Sequence, residues 1–377
     1  MKEYKGWNTL LKVEDALREL QSKNILLVTG RSSYINGGAK TIMDKILIPY
    51  TLTHLPLFTE LPNFEIIAQG ITLAREKKID TVIAIGGGNA LDTAKSIAAL
   101  APQETNEYDK ILTKKIAMKK PSLAKILVPT TAGTGSEATH FAVVYIGKEK
   151  YSLAHPSVLP EYAIVDPSLT LSLTPHITAC TGMDALAQAI EAFWSVSSTE
   201  ESKKYSREAI QLILPAIKDA VIHGYKNTRE AMMYGSNLAG KAINIARTTA
   251  PHAVSYPITS YFSIPHGHAV GLTLPSFIAY NALVEDNDLQ DKRGIHYVQN
   301  MFCELLEMLG CKNAAEAKIM MDSIMEKISL PTTLTACAIQ EKDIPLILDH
   351  GFNPERIINN PRKISRKQLQ TILQERL

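Results

Sequence analysis

Apolar residues in the first 165 positions fall into short dense runs. Between the runs they recur every three to four residues. NILLVTG (24–30), IDTVIAIGGG (79–88) and AKILVPTTAGTG (124–135) are aliphatic, β-branched runs that end in Gly, Ser or Thr, the pattern of strands buried on both faces. FEIIAQGITLAREKK (64–78) carries its apolar residues at helical spacing. Strands alternating with helices predict βαβ units and a parallel sheet, and ligands bind such sheets beyond the carboxyl ends of the strands. The pattern changes near AIVDPSLTLSLTP (163–175). Beyond it ITACTGMDALAQAIEAFW, REAIQLILPAIKDAV and REAMMYGSNLAGKAINIA keep a 3.6-residue period. The expectation is an α/β domain over 1–165 and an all-α domain over 166–377, with no internal repeat or low-complexity tract.

Composition narrows the classes of function. Of 377 residues, 45% are hydrophobic and 21% charged, which excludes a disordered or collagen-like chain. Lys plus Arg number 40 against 38 for Asp plus Glu, so there is no basic excess for a nucleic-acid backbone. No apolar run approaches the ~20 residues of a membrane helix, and MKEYKGWNTLLKVEDAL has no signal-like apolar core. Cys180, Cys303, Cys311 and Cys337 form no CxxC pair. Free thiols in a reducing cytoplasm are expected.

Two loops point to a dinucleotide. In IGGGNALDTAKSIA (85–98), Gly86, Gly87 and Gly88 let backbone approach a ligand, and the helix opening at Asn89 and Asp92 offers its positive end to a pyrophosphate. Glycines also serve a tight strand-to-helix turn, so the triplet alone leaves both readings open. VPTTAGTGSEAT (128–139) adds Thr130, Thr131 and Thr134 at the end of another expected strand. The strand at 24–30 ends in Gly30, Arg31 and Ser32. No carboxylate is there to select NAD, and a guanidinium is there to hold a 2′-phosphate. NADPH over NADH is therefore expected, against the alternative of a surface turn with an incidental Arg.

Farther along, Asp184 and Gln188 sit four apart on one helical face, and His252 and His266 follow. One carboxylate and two imidazoles suit a divalent metal with an open position. The same residues also suit hydrogen-bonded core positions.

GGGNALDTAK, PTTAGTGSEAT, LPEYAIVDPSLTLSLTP, TGMDALAQAIE, the His252–His266 pair and NPRKIS (360–365) together make the chain resemble the iron-containing, or group III, alcohol dehydrogenases. The resemblance implies a dehydroquinate synthase-like architecture: an N-terminal dinucleotide-binding domain, a helical C-terminal domain and a catalytic metal in the cleft between them. It implies iron, Fe2+, with Zn2+ as the less common occupant, and a homodimer. By position the metal ligands fall on Asp184, Gln188, His252 and His266. The cofactor loops fall on 86–89 and 130–136, with Asn63 and Lys150 nearby. Two positions depart from the family pattern. Gln188 stands where His is usual, a weaker oxygen ligand. Tyr256 replaces a second His that serves as a proposed proton relay, so the relay falls to Tyr256, His268 or water.

Lys241, Arg247, Thr248 and Thr249 precede His252 where the family text usually lacks these basic residues. They suit the oxygens of a phosphate or phosphonate, or are solvated helix charges. TGMDALAQAIE with LAGKAINIARTTAPHAVSYPIT and IPHGHAVGLTLP is similar to the branch that reduces phosphonoacetaldehyde to 2-hydroxyethylphosphonate. The expected function is NAD(P)H-dependent, metal-assisted reduction of a small, anionic aldehyde to a primary alcohol. Three alternatives stand beside it. One is a general dehydrogenase of neutral alcohols such as lactaldehyde or butanol enzymes. Another is a lyase or cyclase of the dehydroquinate synthase type. The third is a metal-depleted nucleotide-binding protein.

Overall fold

The computed structural model describes residues 1–57, 61–105, 107–352 and 357–377. The chain divides into two compact units, Met1–Leu173 and Thr174–Leu377. The first runs past residue 165 for a local reason. Asp166 accepts hydrogen bonds from Asn8 N–H at 3.0 Å and Leu10 N–H at 2.9 Å. Those bonds tie the segment after the last strand to the amino terminus.

The strands are β1 (Lys2–Lys5), β2 (Asn24–Gly30), β3 (Thr51–Leu57), β4 (Thr81–Gly86), β5 (Ala124–Pro129), β6 (Phe141–Ile146), β7 (Glu149–Ala154) and β8 (Tyr162–Val165). Six of them form one parallel sheet in the order β1-β8-β5-β4-β2-β3, and β6 pairs with β7 as an antiparallel hairpin. The three runs legible in the sequence are β2, β4 and β5, neighbours in the sheet except that β4 lies between the other two. Each is buried along almost its whole length. β3 lies at the edge and exposes Thr51, Leu52 and His54, and β1 and β8 are only four residues long. β1 is mostly charged, and the apolar run YAIV of β8 is too short to stand out.

The sheet is covered on both faces. Leu26, Val28, Val82, Ala84 and Leu127 join a core with Ile67, Ile71, Leu91 and Ile97 from the helices α1 (Phe64–Glu76) and α2 (Gly88–Leu100). Ile25, Leu27, Ile83, Ile85, Ile126 and Val128 face Leu10, Val13, Leu17 and Met43 instead. Each such side chain contributes about 1.5–3 kcal/mol by leaving water. Two-sided burial is why these strands lack the polar alternation of a half-exposed sheet. From β2 the chain goes to β3 on one side, then returns to β4 on the other. The carboxyl ends of β2 and β4 thus flank the topological switch point, where an open α/β sheet binds its ligand.

Among the described residues the second unit contains helices and no strand. The longer ones are α3 (Pro175–Trp194), α4 (Glu200–Ile222), α5 (Lys226–Ala246), α6 (Ala250–Phe262), α7 (His266–Ala282), α8 (Ile295–Met308) and α9 (Ala314–Lys327). α3 starts at Thr174, whose side chain accepts from Ile177 N–H, with Pro175 in the first turn. It is buried from Met183 to Trp194 and packs against α4, α5 and α7. A polar residue on such a helix must find a partner inside the protein. Among the described residues no helix is long and apolar enough to cross a membrane.

Candidate active site

At the switch point of the first unit the two glycine-containing loops lie side by side. Thr130 N–H donates to Gly86 O at 2.9 Å. A Cβ built on Gly88 would come within 2.6 Å of Thr134 Cγ2, and one on Gly87 within 3.4 Å of Thr131 Cγ2. Gly86 backs onto the end of β2, where its Cβ would lie 3.1 Å from Gly30 N. A side chain at Gly86 or Gly88 would collide with Ala90 and Gly30 or with Thr134, so glycine is what lets these loops pack this closely. The N-cap of α2 is Gly87, which offers no side-chain cap, so the first amides and the positive dipole end are left for an anion. Thr130 Oγ1 is buried without a hydrogen-bond partner among the described residues. An orphaned buried hydroxyl beside uncapped amides fits a bound diphosphate.

Beneath these loops lies a charged pair, only half of which the sequence reading singled out. Asp92 accepts from Ser136 Oγ at 2.5 Å and from Val143 N–H at 3.0 Å. Lys95 is fully buried and donates to Ser136 O at 2.8 Å, Ser136 Oγ at 3.2 Å and Thr139 Oγ1 at 2.8 Å. Burial pushes the Asp92 carboxyl up and pulls the Lys95 ammonium down to about 8, each partly offset by the other's charge. Both oxygens of Asp92 thus hold protein groups, and the pair pins the 130–136 loop to α2. The available signal for Lys95 was a lone Lys in the small, apolar stretch TAKSIAAL.

Two of the remaining candidates of this unit meet at the hairpin, where Asn63 bridges to Tyr145, the residue opposite Lys150. Asn63 caps α1, accepting from Ile66 N–H at 3.0 Å. Asn89 Oδ1 accepts from Thr93 Oγ1 at 3.3 Å. Lys150 lies opposite Tyr145 in the hairpin, and its charge acts on Asp92. Arg31 and Ser32 are exposed just past Gly30.

In the second unit Asp184 and Gln188 occupy one face of α3, His252 the first turn of α6 and His266 the start of α7. One ligand atom from each of Asp184, His252 and His266 lies within 4.8 Å of the others. His252 Nε2 is 3.2 Å from Asp184 Oδ1, and His266 Nε2 is 4.0 Å from it. Burial disfavours the Asp184 carboxylate, but the hydrogen bond from His252, the charges of both imidazoles and the Gln188 amide outweigh it and hold its pKa below the ordinary value. Burial likewise works against a charged His252, yet Glu191 and Asp184 raise it to about 9. The pocket favours positive charge, which a divalent cation would supply. Gln188 Oε1 is buried with no partner among the described residues. With that oxygen the donor set becomes two nitrogens and two oxygens, a set that fits a first-row divalent metal.

Two residues that the sequence reading did not single out hold this cluster. Glu191, fully buried one turn beyond Gln188, bonds His252 Nδ1 through one oxygen and through the other accepts from Thr249 N–H at 2.6 Å and Thr249 Oγ1 at 2.9 Å. This fixes the ring so that Nε2 faces Asp184, as carboxylate–histidine pairs do at metal centres. Its signal was the spacing 184, 188, 191, one helical face. Gly267 lies against α3. A Cβ there would come 1.9 Å from Cys180 O and 2.7 Å from Asp184 Cβ. Only a residue without a side chain lets α7 come close enough to bring His266 to Asp184.

Other expected site residues divide. Tyr256 stacks on His266, with centroids 5.7 Å apart and planes 12° apart. His268 is engaged elsewhere: it is buried, and its Nε2–H donates a hydrogen bond to Pro331 O at 2.8 Å. That bond removes it from the relay. Thr249 is likewise unavailable to a substrate, because its hydroxyl donates to Glu191 and accepts from Trp194 Nε1 at 2.9 Å. Lys241 lies over the Tyr205 ring at 5.7 Å, Thr248 is buried, and Arg247 is exposed where α5 stops.

Comparison with known proteins agrees with this geometry. Residues 2–167 match the family model for iron-containing alcohol dehydrogenase, and residues 178–377 match the C-terminal model of the Fe-containing alcohol dehydrogenase family. Long-chain-alcohol dehydrogenase 1 of Geobacillus thermodenitrificans is 36% identical over 282 residues, 73% of this chain and 70% of that protein. Phosphonoacetaldehyde reductase of Streptomyces viridochromogenes is 34% identical over 317 residues, 80% of this chain and 77% of that protein. The crystal structure of sulfoacetaldehyde reductase from Bifidobacterium kashiwanohense in complex with NAD+ has a TM-score of 0.88 at 28% identity, covering 100% of this chain and 96% of that one. With both halves matched and the metal triad assembled, the chain belongs to the iron-containing alcohol dehydrogenase family and is an NAD(P)-dependent oxidoreductase of alcohols and aldehydes.

Proposed function

We propose that this enzyme reduces a small aldehyde bearing a terminal oxyanion, phosphonoacetaldehyde to 2-hydroxyethylphosphonate, with NADPH as reductant and Fe2+ as metal. The observation that carries the substrate reading is the pair Lys241 and Arg247 on the segment leading into His252. The 34% identity to a phosphonoacetaldehyde reductase supports it. Gly30 followed by an exposed Arg31 supports NADPH, since no carboxylate at the end of β2 would repel a 2′-phosphate.

Asp184, His252, His266 and Gln188 Oε1 would hold the metal, and loops 86–89 and 130–134 would hold the diphosphate. When bound, the metal polarises the aldehyde carbonyl and the reduced nicotinamide supplies hydride. Glu191 keeps His252 in one tautomer and one orientation. Asp92 and Lys95 keep the second loop against the first. Tyr256, stacked on His266, delivers the proton from its hydroxyl to the product oxygen. Lys241 and Arg247 take the oxyanion.

A second reading, reduction or oxidation of neutral substrates, is favoured by the 36% identity to a long-chain-alcohol dehydrogenase. NADPH consumption by the iron-loaded protein separates the two. At least a tenfold preference in kcat/KM for phosphonoacetaldehyde over acetaldehyde and lactaldehyde, about 1.4 kcal/mol, supports the oxyanion reading. Equal turnover of neutral aldehydes overturns it. The same series with NADH tests the cofactor, and a KM for NADH at or below that for NADPH removes the role of Arg31.

A further inference from the structure

Arg247 has a backbone conformation that its side chain does not favour. Asn8, Ser263 and Ala338 also have positive φ, but with ψ of 23°, 26° and 21°. That is the ordinary left-handed region. Arg247 combines φ 62° with ψ 173°, a region occupied almost only by glycine, and such strain persists where the surroundings over-determine it.

The surroundings do so here. Ala246 O accepts from Ser195 Oγ at 2.7 Å, Thr248 O from Asn359 Nδ2 at 3.3 Å, and Thr249 N–H donates to Glu191 at 2.6 Å. Arg247 N–H itself closes the last turn of α5 on Ile243 O at 2.9 Å. Ser195, Glu191 and Asn359 are all buried. The peptide group before Arg247 and the one joining Thr248 to Thr249 are therefore fixed by inward side chains, while the arginine between them is exposed. Its guanidinium has no hydrogen bond or ion pair to any described residue. Nothing in the stability of the fold calls for Arg at this position, and glycine would satisfy the backbone better.

The mount is also tied to the metal ligands. Glu191 holds Thr249 with one oxygen and His252 with the other. A shift of the Arg247 turn would therefore be felt at His252.

We propose that the 246–249 turn is a strained mount that presents Arg247 as the specificity-determining residue for the tetrahedral oxyanion, phosphonate or sulfonate, of the substrate. The inference rests on the oxyanion reading above and adds that selectivity is held at a cost in stability.

The test uses the metal-loaded enzyme and its Arg247→Gly, Arg247→Ala and Arg247→Lys variants, with two readouts. The first is the thermal unfolding midpoint. Arg247→Gly relieves the backbone and raises the midpoint by about 1–3 °C, whereas Arg247→Ala, which keeps the strain, does not. The second is the ratio of kcat/KM for phosphonoacetaldehyde, and separately for sulfoacetaldehyde, to that for propionaldehyde. The ratio for the native oxyanion falls at least tenfold in the Gly and Ala variants and less in Arg247→Lys; the aldehyde with the larger wild-type ratio identifies that oxyanion. A midpoint for Arg247→Gly at or below wild type overturns the mount. A raised midpoint with unchanged ratios overturns the specificity role. Wild-type ratios near one for both oxyanions defeat the oxyanion reading itself, and this is seen before any variant is made.

Discussion

In the first unit the candidate site is made where side chains are missing. Gly86, Gly87 and Gly88 let the neighbouring loops pack closely, the start of α2 has no side-chain cap, and only Thr130, Thr131 and Thr134 add hydroxyls. In the second unit the site is made of side chains. Asp184, Gln188, His252 and His266 converge from three helices, and Glu191 sits behind them. A backbone-built site tolerates exchange of the residues around it but not addition of atoms inside it. A side-chain-built site fails when a charge or a ring is removed. The variants below attack each end by its own weakness.

The largest effect is expected from removing a ring. His252→Ala takes away one candidate ligand and leaves Glu191 and Asp184 as buried carboxylates with less to offset their charge. Metal content should fall to background, and kcat/KM by about three orders of magnitude or more, about 4 kcal/mol of transition-state stabilisation. Metal analysis of the purified variant checks it. Full occupancy with normal turnover would break the side-chain half of the comparison.

Glu191→Gln should come next. It keeps size and removes the charge that orients His252, so metal affinity should fall about 10- to 100-fold, read by competition with a chelator. An unchanged affinity would mean that the contact with Thr249 alone is what Glu191 provides.

The backbone half is sharpened by two neighbouring glycines. Gly88→Ala drives a methyl to 2.6 Å from Thr134 Cγ2, whereas Gly87→Ala meets Thr131 at an ordinary 3.4 Å. Overpacking of this kind costs about 1–3 kcal/mol, so KM for the nucleotide should rise about tenfold in the first variant and little in the second. Adding Thr134→Ser, which removes the Cγ2 methyl, should restore most of the loss. Equal effects at both glycines would show that the spacing of the two loops does not govern binding.

These contrasts also explain what the sequence made legible. β2, β4 and β5 could be read because burial on both faces leaves dense aliphatic runs. β3 could not, because an edge strand that exposes Leu52 and His54 has no pattern of its own. The glycine loops could be read as Gly- and Thr-rich ends of expected strands, whereas Asp184, His252 and His266 became a candidate metal set only through the family resemblance. The partners that fix them could not be read. Thr249 reads as a hydroxyl available to substrate, and only the fold shows it engaged with Glu191 and Trp194. His268 reads as a relay two residues from a ligand, but along a helix two residues is half a turn, and it bonds Pro331 instead. Glu191 and Lys95 lay inside the quoted motifs. Their roles depend on contacts across dozens of residues, with His252 and with Ser136, which local spacing does not encode.

The smallest expected effect concerns Lys95, which joins the two kinds of construction: a buried charge beneath a backbone-built loop. Burial lowers its pKa from the ordinary 10.5 to about 8, against the pull of Asp92 and Glu137. The unfolded chain therefore binds more protons than the folded one between those values, and stability contributed at this site rises with pH from about 8 towards 10.5. Between about pH 7 and pH 9 the gain is about 1 kcal/mol, a shift of about 2 °C in unfolding midpoint for a chain of this size. Lys95→Met lacks the titrating group, so the difference between wild type and variant should move in favour of wild type over that window. A difference that stays flat would mean that the bonds to Ser136 and Thr139 keep Lys95 charged throughout. The loop would then be held by an ammonium at every working pH, and nucleotide affinity would not vary with pH through this site.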